Sequence, residues 1–189
     1  MKIQADFVTS VATAADIPRQ AIPEVALVGR SNVGKSSLIN ALVRQRLART
    51  SAAPGKTRLA NIYRVARSGS APLHLIDLPG YGFARGGSDG FERVAELMLE
   101  RNPAVVLLVD ARHPGLPTDR RTWTWVRERA ERRVIVASKI DKLARGERTR
   151  AQKALDSAFD SPVLPVSAVT GEGLEELWTL IDNLLTTNQ

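Results

Sequence analysis

Short apolar runs alternate with longer amphipathic ones along the chain, and the two periods predict alternating strands and helices. Glu24-Val25-Ala26-Leu27-Val28 is brief, apolar and closed by Gly29, the pattern of a buried strand. From residue 35 to about 46, Leu38, Ala41, Leu42 and Gln45 recur at helical spacing. Residues 61–67 and 73–77 predict two strands, joined by the hairpin loop Ser68-Gly69-Ser70-Ala71-Pro72. Residues 91–101 read as a helix, with Phe91, Val94 or Ala95, and Met98 on one face. Residues 104–110 are apolar almost throughout, as a strand covered on both faces requires. A helix over 117–132, a strand over 134–137, a helix over 147–159, a strand over 162–166 and a helix over 172–185 complete the pattern.

That alternation implies a three-layer α/β domain. Its sheet is expected to have six strands, mostly parallel, with one antiparallel edge at the hairpin and helices on both faces. No repeat, low-complexity tract or linker divides residues 1–189, so a single domain is expected. Composition changes little here: 43% hydrophobic and 25% charged residues are globular proportions and argue against disorder. The absence of cysteine excludes a disulfide framework, thiolate catalysis and a Cys-ligated metal, and two histidines, His74 and His113, leave little for a His-based site. No apolar run reaches the roughly 18–20 residues of a membrane span. The start, with an acid at Asp6 and no long apolar stretch, does not resemble a secretory signal, so a cytoplasmic monomer without a membrane partner is expected. Charge adds a partner class: the chain is net +7, with 27 Lys and Arg against 20 Asp and Glu, which favours contact with a polyanion.

Gly29-Arg30-Ser31-Asn32-Val33-Gly34-Lys35-Ser36 fits G-x-x-x-x-G-K-[ST], between a predicted strand and a predicted helix. Composition alone would yield only about 0.004 such matches in a chain of this length. The glycines let the backbone fold around phosphate oxygens, so that N–H groups and the helix N-terminus converge on the anion. Lys35 would reach the β- and γ-phosphates, the Ser36 hydroxyl would ligate Mg²⁺, and Ser37 would contact the α-phosphate. Such a loop serves ATP and GTP equally, so base choice must come from elsewhere. Asp77-Leu78-Pro79-Gly80 ends a predicted strand, where the carboxylate can hold Mg²⁺ through water and the Gly80 N–H can face the γ-phosphate. Ser138-Lys139-Ile140-Asp141 follows another strand and is similar to the [N/T]-K-x-D guanine motif. An Asp there accepts from guanine N1–H and the exocyclic amine, a donor pair adenine lacks, and the Lys139 stem can pack along the base. After the last strand, Val166-Ser167-Ala168 matches the S-A element whose backbone N–H meets guanine O6. All of these stand at strand C-terminal ends, where open α/β sheets bind ligands.

With those motifs in order, the chain resembles the EngB (YihA/YsxC) family of ribosome-assembly GTPases, related to the translation factors. The resemblance rests on residues 29–42, on Pro54-Gly55-Lys56-Thr57, on Asp77-Leu78-Pro79-Gly80-Tyr81-Gly82-Phe83-Ala84, on Val109-Asp110-Ala111-Arg112-His113 and on Lys139-Ile140-Asp141-Lys142-Leu143. It implies a Ras-like G domain binding GTP and GDP with Mg²⁺, and a role in assembly of the large ribosomal subunit through ribosomal RNA phosphates. It also implies that Thr57 is the switch I threonine on Mg²⁺ and the γ-phosphate, making Lys35, Thr57 and Gly80 the expected catalytic groups and Ser36, Thr57 and Asp77 the metal set. One departure is Ser138, where the family usually has Thr; the hydroxyl stays but the methyl goes, so a slightly weaker brace to the phosphate loop is expected.

Ras-like enzymes orient the attacking water with a Gln after D-x-x-G. Tyr81 stands there and presents no amide, so slow intrinsic turnover is expected. Asn32 resembles the asparagine that ligates K⁺ in related GTPases; bracing the loop is the other role open to it. Arg44, Arg46, Arg49, Lys56 and Arg58, then Arg127, Arg129, Arg132 and Arg133, then Arg145, Arg148 and Arg150 form basic clusters that suit RNA phosphate, or else a solvated face paired with Glu128, Glu131 and Glu147. His74 within its strand and Trp123 and Trp125 on their helix read as packing residues. A P-loop metabolic kinase, and a basic RNA-binding module with a structural nucleotide site, are the competing functions.

Overall fold

The structure, a computed structural model, describes residues 2–19, 22–49, 59–81 and 89–186. In chain order the elements are β1 (Ile3–Val11), β2 (Glu24–Gly29), α1 (Lys35–Val43), β3 (Ala60–Arg67), β4 (Leu73–Asp77), α2 (Asp89–Leu99), β5 (Ala104–Asp110), α3 (Pro117–Arg129), β6 (Arg133–Ser138), α4 (Arg145–Phe159), β7 (Val163–Pro165) and α5 (Leu174–Thr186), with short 3₁₀ turns at Ala14–Asp16 and Ile140–Lys142. The strands form one sheet in the order β1-β3-β4-β2-β5-β6-β7.

The sheet has seven strands rather than the expected six, and the hairpin strand β3 is not its edge. β1 lies outside β3, antiparallel to it, and β3 is antiparallel to β4; β4, β2, β5, β6 and β7 pair in parallel. A register shift between Phe7 and Thr9 explains why β1 escapes a pattern reading. The bulge breaks the alternation, so Ala5 and Val11 are buried on an edge strand whose other residues are mostly exposed.

In the central strands alternate residues enter opposite cores. Ala26, Val28, Ile76 and Leu107 pack with Met98, Trp123 and Phe159 beneath α2, α3 and α4. Val25, Leu27, Leu75 and Val106 pack with Leu38, Leu42, Trp178 and Ile181 beneath α1 and α5. Burial on both faces accounts for the continuous apolar run of β5. Helix α1 stops at Val43, short of the expected 46, because Arg44 turns left-handed at φ 56° and Asn40 captures the following chain. The Asn40 amide accepts from Leu47 N–H at 2.9 Å and Ala48 N–H at 2.7 Å and donates to Ala48 O at 2.9 Å.

β2 is central, and its two parallel neighbours, β4 and β5, lead to opposite directions along the sheet. The chain leaves β2 into α1 on one face, while β5 leads to α3 on the other. This topological switch point opens a crevice beyond the strand C-termini.

Candidate functional site

The crevice is rimmed by the loop between β2 and α1. Gly34 sits at φ 113°, which a side chain rarely tolerates, and Asn32 at φ 61°, a left-handed turn that Asn accepts more readily than most residues. The loop therefore bends twice before delivering α1, whose first turn carries neither a side-chain cap nor an acid. A helix start left bare in this way keeps its N–H groups and positive dipole end for an anion.

Lys35 is only 7% exposed, and its ammonium donates to Gly29 O at 2.9 Å and Arg30 O at 3.3 Å. Burial holds its pKa below the ordinary lysine value, against the pull of the Asp77 charge. Among the described residues no carboxylate hydrogen-bonds it. The Ser36 hydroxyl donates to Asp77 Oδ2 at 2.6 Å, whereas Asp77 Oδ1 is buried without a hydrogen-bond partner. Burial raises the Asp77 pKa, opposed by Lys35 and Ser36. The resemblance implies Mg²⁺, and this pair fits it: a hydroxyl and a carboxylate with an orphaned oxygen are hard oxygen donors. Gly80 lies against the loop so closely that a Cβ there would be 2.6 Å from Ser31 N, so no other residue fits without displacement. Leu78 and Pro79, between Asp77 and Gly80, are buried.

The third and fourth predicted motifs close the other end. The Ser138 hydroxyl lies 2.8 Å from Val33 O and 3.0 Å from Val109 O, so the expected brace to the phosphate loop is present without the methyl. Lys139, left-handed at φ 62°, donates to Asn32 O at 2.6 Å and to Asp110 Oδ2 at 3.0 Å. Asp141 accepts from the Ser167 hydroxyl at 2.7 Å, the main reason its pKa is held down, and Lys142 lies 3.5 Å from its other oxygen. The Val166 carbonyl accepts from the Ile140 N–H at 3.4 Å. Ser37 and Ala168 line one hollow of about 370 Å³ with Asn40, Ala41 and Arg44, so the helix start and the S-A element face common space. Pro54, Gly55, Lys56 and Thr57, and with them the expected switch I ligand, lie outside the described residues, as do Gly82, Phe83 and Ala84.

Two carboxylates here were not among the expected site residues. Asp110, at the end of β5, binds Arg112 through both side-chain oxygens (2.9 and 2.7 Å) and also receives Lys139. Burial would raise its pKa, but Arg112 and then Lys139 outweigh that and hold it far below the usual carboxylate range. An acid closing an apolar central strand was the available signal. Asp119, in the first turn of α3, offered none, because acids are common there for helix-capping reasons alone.

The basic clusters divide. Arg44 pairs with Glu175, Arg129 with Glu128 and the Trp125 ring, and Arg148 with Glu172, while Arg132 donates to Asn102 O and Arg133 to Ala130 O. Arg120, Arg121, Arg127, Arg145 and Arg150 on α3 and α4 are exposed and have no side-chain hydrogen bond or ion pair with any described residue. His74 is buried in β4, 3.7 Å from Glu24, and Trp123 donates to Phe159 O, so both are packing residues as expected. Among the described residues no helix is long and apolar enough to cross a membrane.

Residues 24–139 match the family described as 50S ribosome-binding GTPase. The probable GTP-binding protein EngB of Pelotomaculum thermopropionicum is 42% identical over 193 residues, covering 96% of each chain. That of Alkaliphilus metalliredigens is 38% identical, covering all of this chain and 95% of its own. Among solved structures, Era in complex with MgGDPNP and nucleotides 1506–1542 of 16S ribosomal RNA superposes with a TM-score of 0.77 at 25% identity, over 88% of this chain and 58% of that one.

Proposed function

The chain belongs to the EngB family of 50S ribosome-binding GTPases, and on that premise we propose that it is a GTP/GDP switch in assembly of the bacterial large ribosomal subunit, with slow intrinsic hydrolysis. It is a GTP-binding protein and a GTPase. What carries the switch reading is the tie between the base loop and the phosphate loop. Ser138 and Lys139 reach the carbonyls of Val33 and Asn32, which makes guanine selection and phosphate binding one mechanical unit.

Lys35 would exchange its carbonyl partners for phosphate oxygens, and the bare start of α1 would receive the same anion. Gly80 N–H would meet a γ-phosphate that GDP lacks. Ser36 and Asp77 would hold Mg²⁺, with Thr57 completing the set; when bound, the ion neutralises phosphate charge. Asp141 would bind the guanine edge, with its carboxylate kept ionised by Ser167. The Tyr81 hydroxyl donates to Asp119 at 2.9 Å and so does not orient a water in the cleft, which supports low turnover. Asn32 carries an amide oxygen, a ligand type that suits K⁺, and exchange of K⁺ for Na⁺ in a hydrolysis assay checks stimulation. The five arginines without partners among the described residues would meet ribosomal RNA phosphates, and Era's RNA complex supports that partner class. The chain would act as a monomer in the cytoplasm.

The test is co-sedimentation with purified large subunits in a non-hydrolysable GTP analogue, in GDP and without nucleotide. Binding that needs the analogue, and that R127E/R145E weakens most at low salt, is the expected result. Equal binding in all three states would instead make the chain a nucleotide-indifferent RNA-binding module.

A further inference from the structure

Asp119 is the third residue of α3, where an aspartate ordinarily stays at the surface and complements the helix dipole. Here it is 0% exposed. Its Oδ1 accepts from Arg30 Nε at 2.9 Å and from the Tyr81 hydroxyl at 2.9 Å, while Oδ2 is buried without a hydrogen-bond partner. Capping α3 requires none of this, since an exposed Asp would serve the helix as well. Burying a carboxylate with half its acceptors unused is costly, and burial raises its pKa in spite of the two donors.

The two donors come from separate loops, Arg30 leaving β2 and Tyr81 leaving β4. Their backbones form a parallel bridge, Ser31 N–H donates to Tyr81 O at 3.1 Å, and the Ser31 hydroxyl lies 3.4 Å from Gly80 O. Gly80 is thereby pressed onto the phosphate loop, leaving no room for even a Cβ. Three segments, brought together from residues 30, 80–81 and 119, meet at one carboxylate.

We propose that Asp119 is a positioning residue for the GTPase: by holding Arg30 and Tyr81 it seats Gly80 on the phosphate loop and so sets how strongly a nucleoside triphosphate is held relative to a diphosphate. The inference rests on reading Gly80 as the residue that meets the γ-phosphate. A diphosphate makes no use of that N–H. A triphosphate does, and finds it already ordered, so less conformational freedom is lost on binding. Without the carboxylate, that ordering cost returns for the triphosphate alone. The Tyr81 side chain is occupied in the same latch, which is why the residue after D-x-x-G is not directed at the cleft.

The experiment compares fluorescent GDP and a fluorescent non-hydrolysable GTP analogue on the full chain carrying D119A, D119N or Y81F. D119A is expected to weaken the analogue about tenfold with GDP changed less than about twofold. D119N, which keeps an oxygen acceptor at the same place, is expected to recover most of that loss, and Y81F to lose about threefold. In turnover, D119A should raise KM for GTP while inhibition by GDP stays constant. Equal losses for both nucleotides, or no loss for either, would overturn the proposal and leave Asp119 a structural residue. If D119A does not fold, Y81F, which removes one of the two donors, carries the same selective loss on a smaller scale and decides the same question. Failure of the unaltered chain to bind GDP would overturn the nucleotide-site reading itself, and the latch with it.

Discussion

At the phosphate end of the cleft, buried Lys35 donates to two carbonyl oxygens and feels the Asp77 charge without a hydrogen bond to it among the described residues, and Asp77 keeps a buried oxygen with no partner. At the guanine end, Asp110 is gripped by Arg112 and Lys139 and Asp141 by Ser167. The pKa directions follow the same division. Burial disfavours the charged form of both Lys35 and Asp77, whereas hydrogen bonding favours the charged forms of Asp110 and Asp141. The end proposed for guanine satisfies its charges internally, whereas the end proposed for phosphate leaves an Asp77 oxygen without a hydrogen-bond partner. Groups whose polar needs go unmet in the free chain are the ones that gain most when an anion and a cation fill the crevice.

The largest effect expected from this contrast is at Lys35. Lys35→Met should cut affinity for the GTP analogue by about a hundredfold or more, because a charge-assisted contact in a buried site is removed. Stability of the nucleotide-free chain should change by less than about 1 kcal/mol, since relief of the burial penalty on Lys35 is offset by loss of its attraction to buried Asp77. Urea unfolding without nucleotide, beside nucleotide titration, checks both halves. A loss of stability with binding retained would erase the distinction between the two ends.

Asp110→Asn should act in the opposite sense. Removing this charge strands Lys139 and Arg112; Arg112 is partly in solvent, so the expected cost is about 2 kcal/mol rather than the larger value of a fully buried pair. The folded-state pKa of Asp110 is depressed, so its contribution is complete above the unfolded carboxylate value of about 3.9 and is lost as pH falls from there. Urea midpoints of the two proteins should therefore differ most near neutrality and converge in acid. Asp119, with its pKa raised by burial, contributes in the other direction: its ionisation penalises the fold at neutral pH, and the penalty fades as pH falls.

What could be read in the sequence also divides along these lines. The phosphate loop, Asp77 to Gly80, Ser138 to Asp141 and Ser167-Ala168 were legible because each meets its need locally. A glycine is required where the backbone turns left-handed or touches the loop, and a carboxylate or hydroxyl where a strand ends. Asp119 was not legible, because its partners, Arg30 and Tyr81, stand 89 and 38 positions away and only packing brings them together. Asn40 likewise looks like one more polar helix residue until its amide is found holding Leu47 and Ala48. The central strands announced themselves by continuous apolar runs, while β1, half exposed and bulged at the sheet edge, had no such run. Of the basic clusters the sequence gives only membership; which arginines are already bound to glutamates and carbonyls is decided by the surface they share.

The smallest effect lies where the two ends are joined. Ser138 sits within hydrogen-bond reach of carbonyls from both the phosphate loop and β5, and it is buried. Ser138→Ala removes the hydroxyl donor that lies between those carbonyls and should cost about 1 kcal/mol of stability. Nucleotide affinity should fall only a few-fold, for GDP and the analogue alike, since base and phosphate loops loosen together and Gly80 is untouched. Ser138→Thr keeps the hydroxyl and adds a methyl, so with room for that group it should leave stability within about 0.5 kcal/mol of the parent. An Ala variant that lost GTP binding while keeping GDP would mean that the brace acts on Gly80 and the γ-phosphate side. The guanine end would then not be the self-contained half of the cleft that its satisfied charges describe.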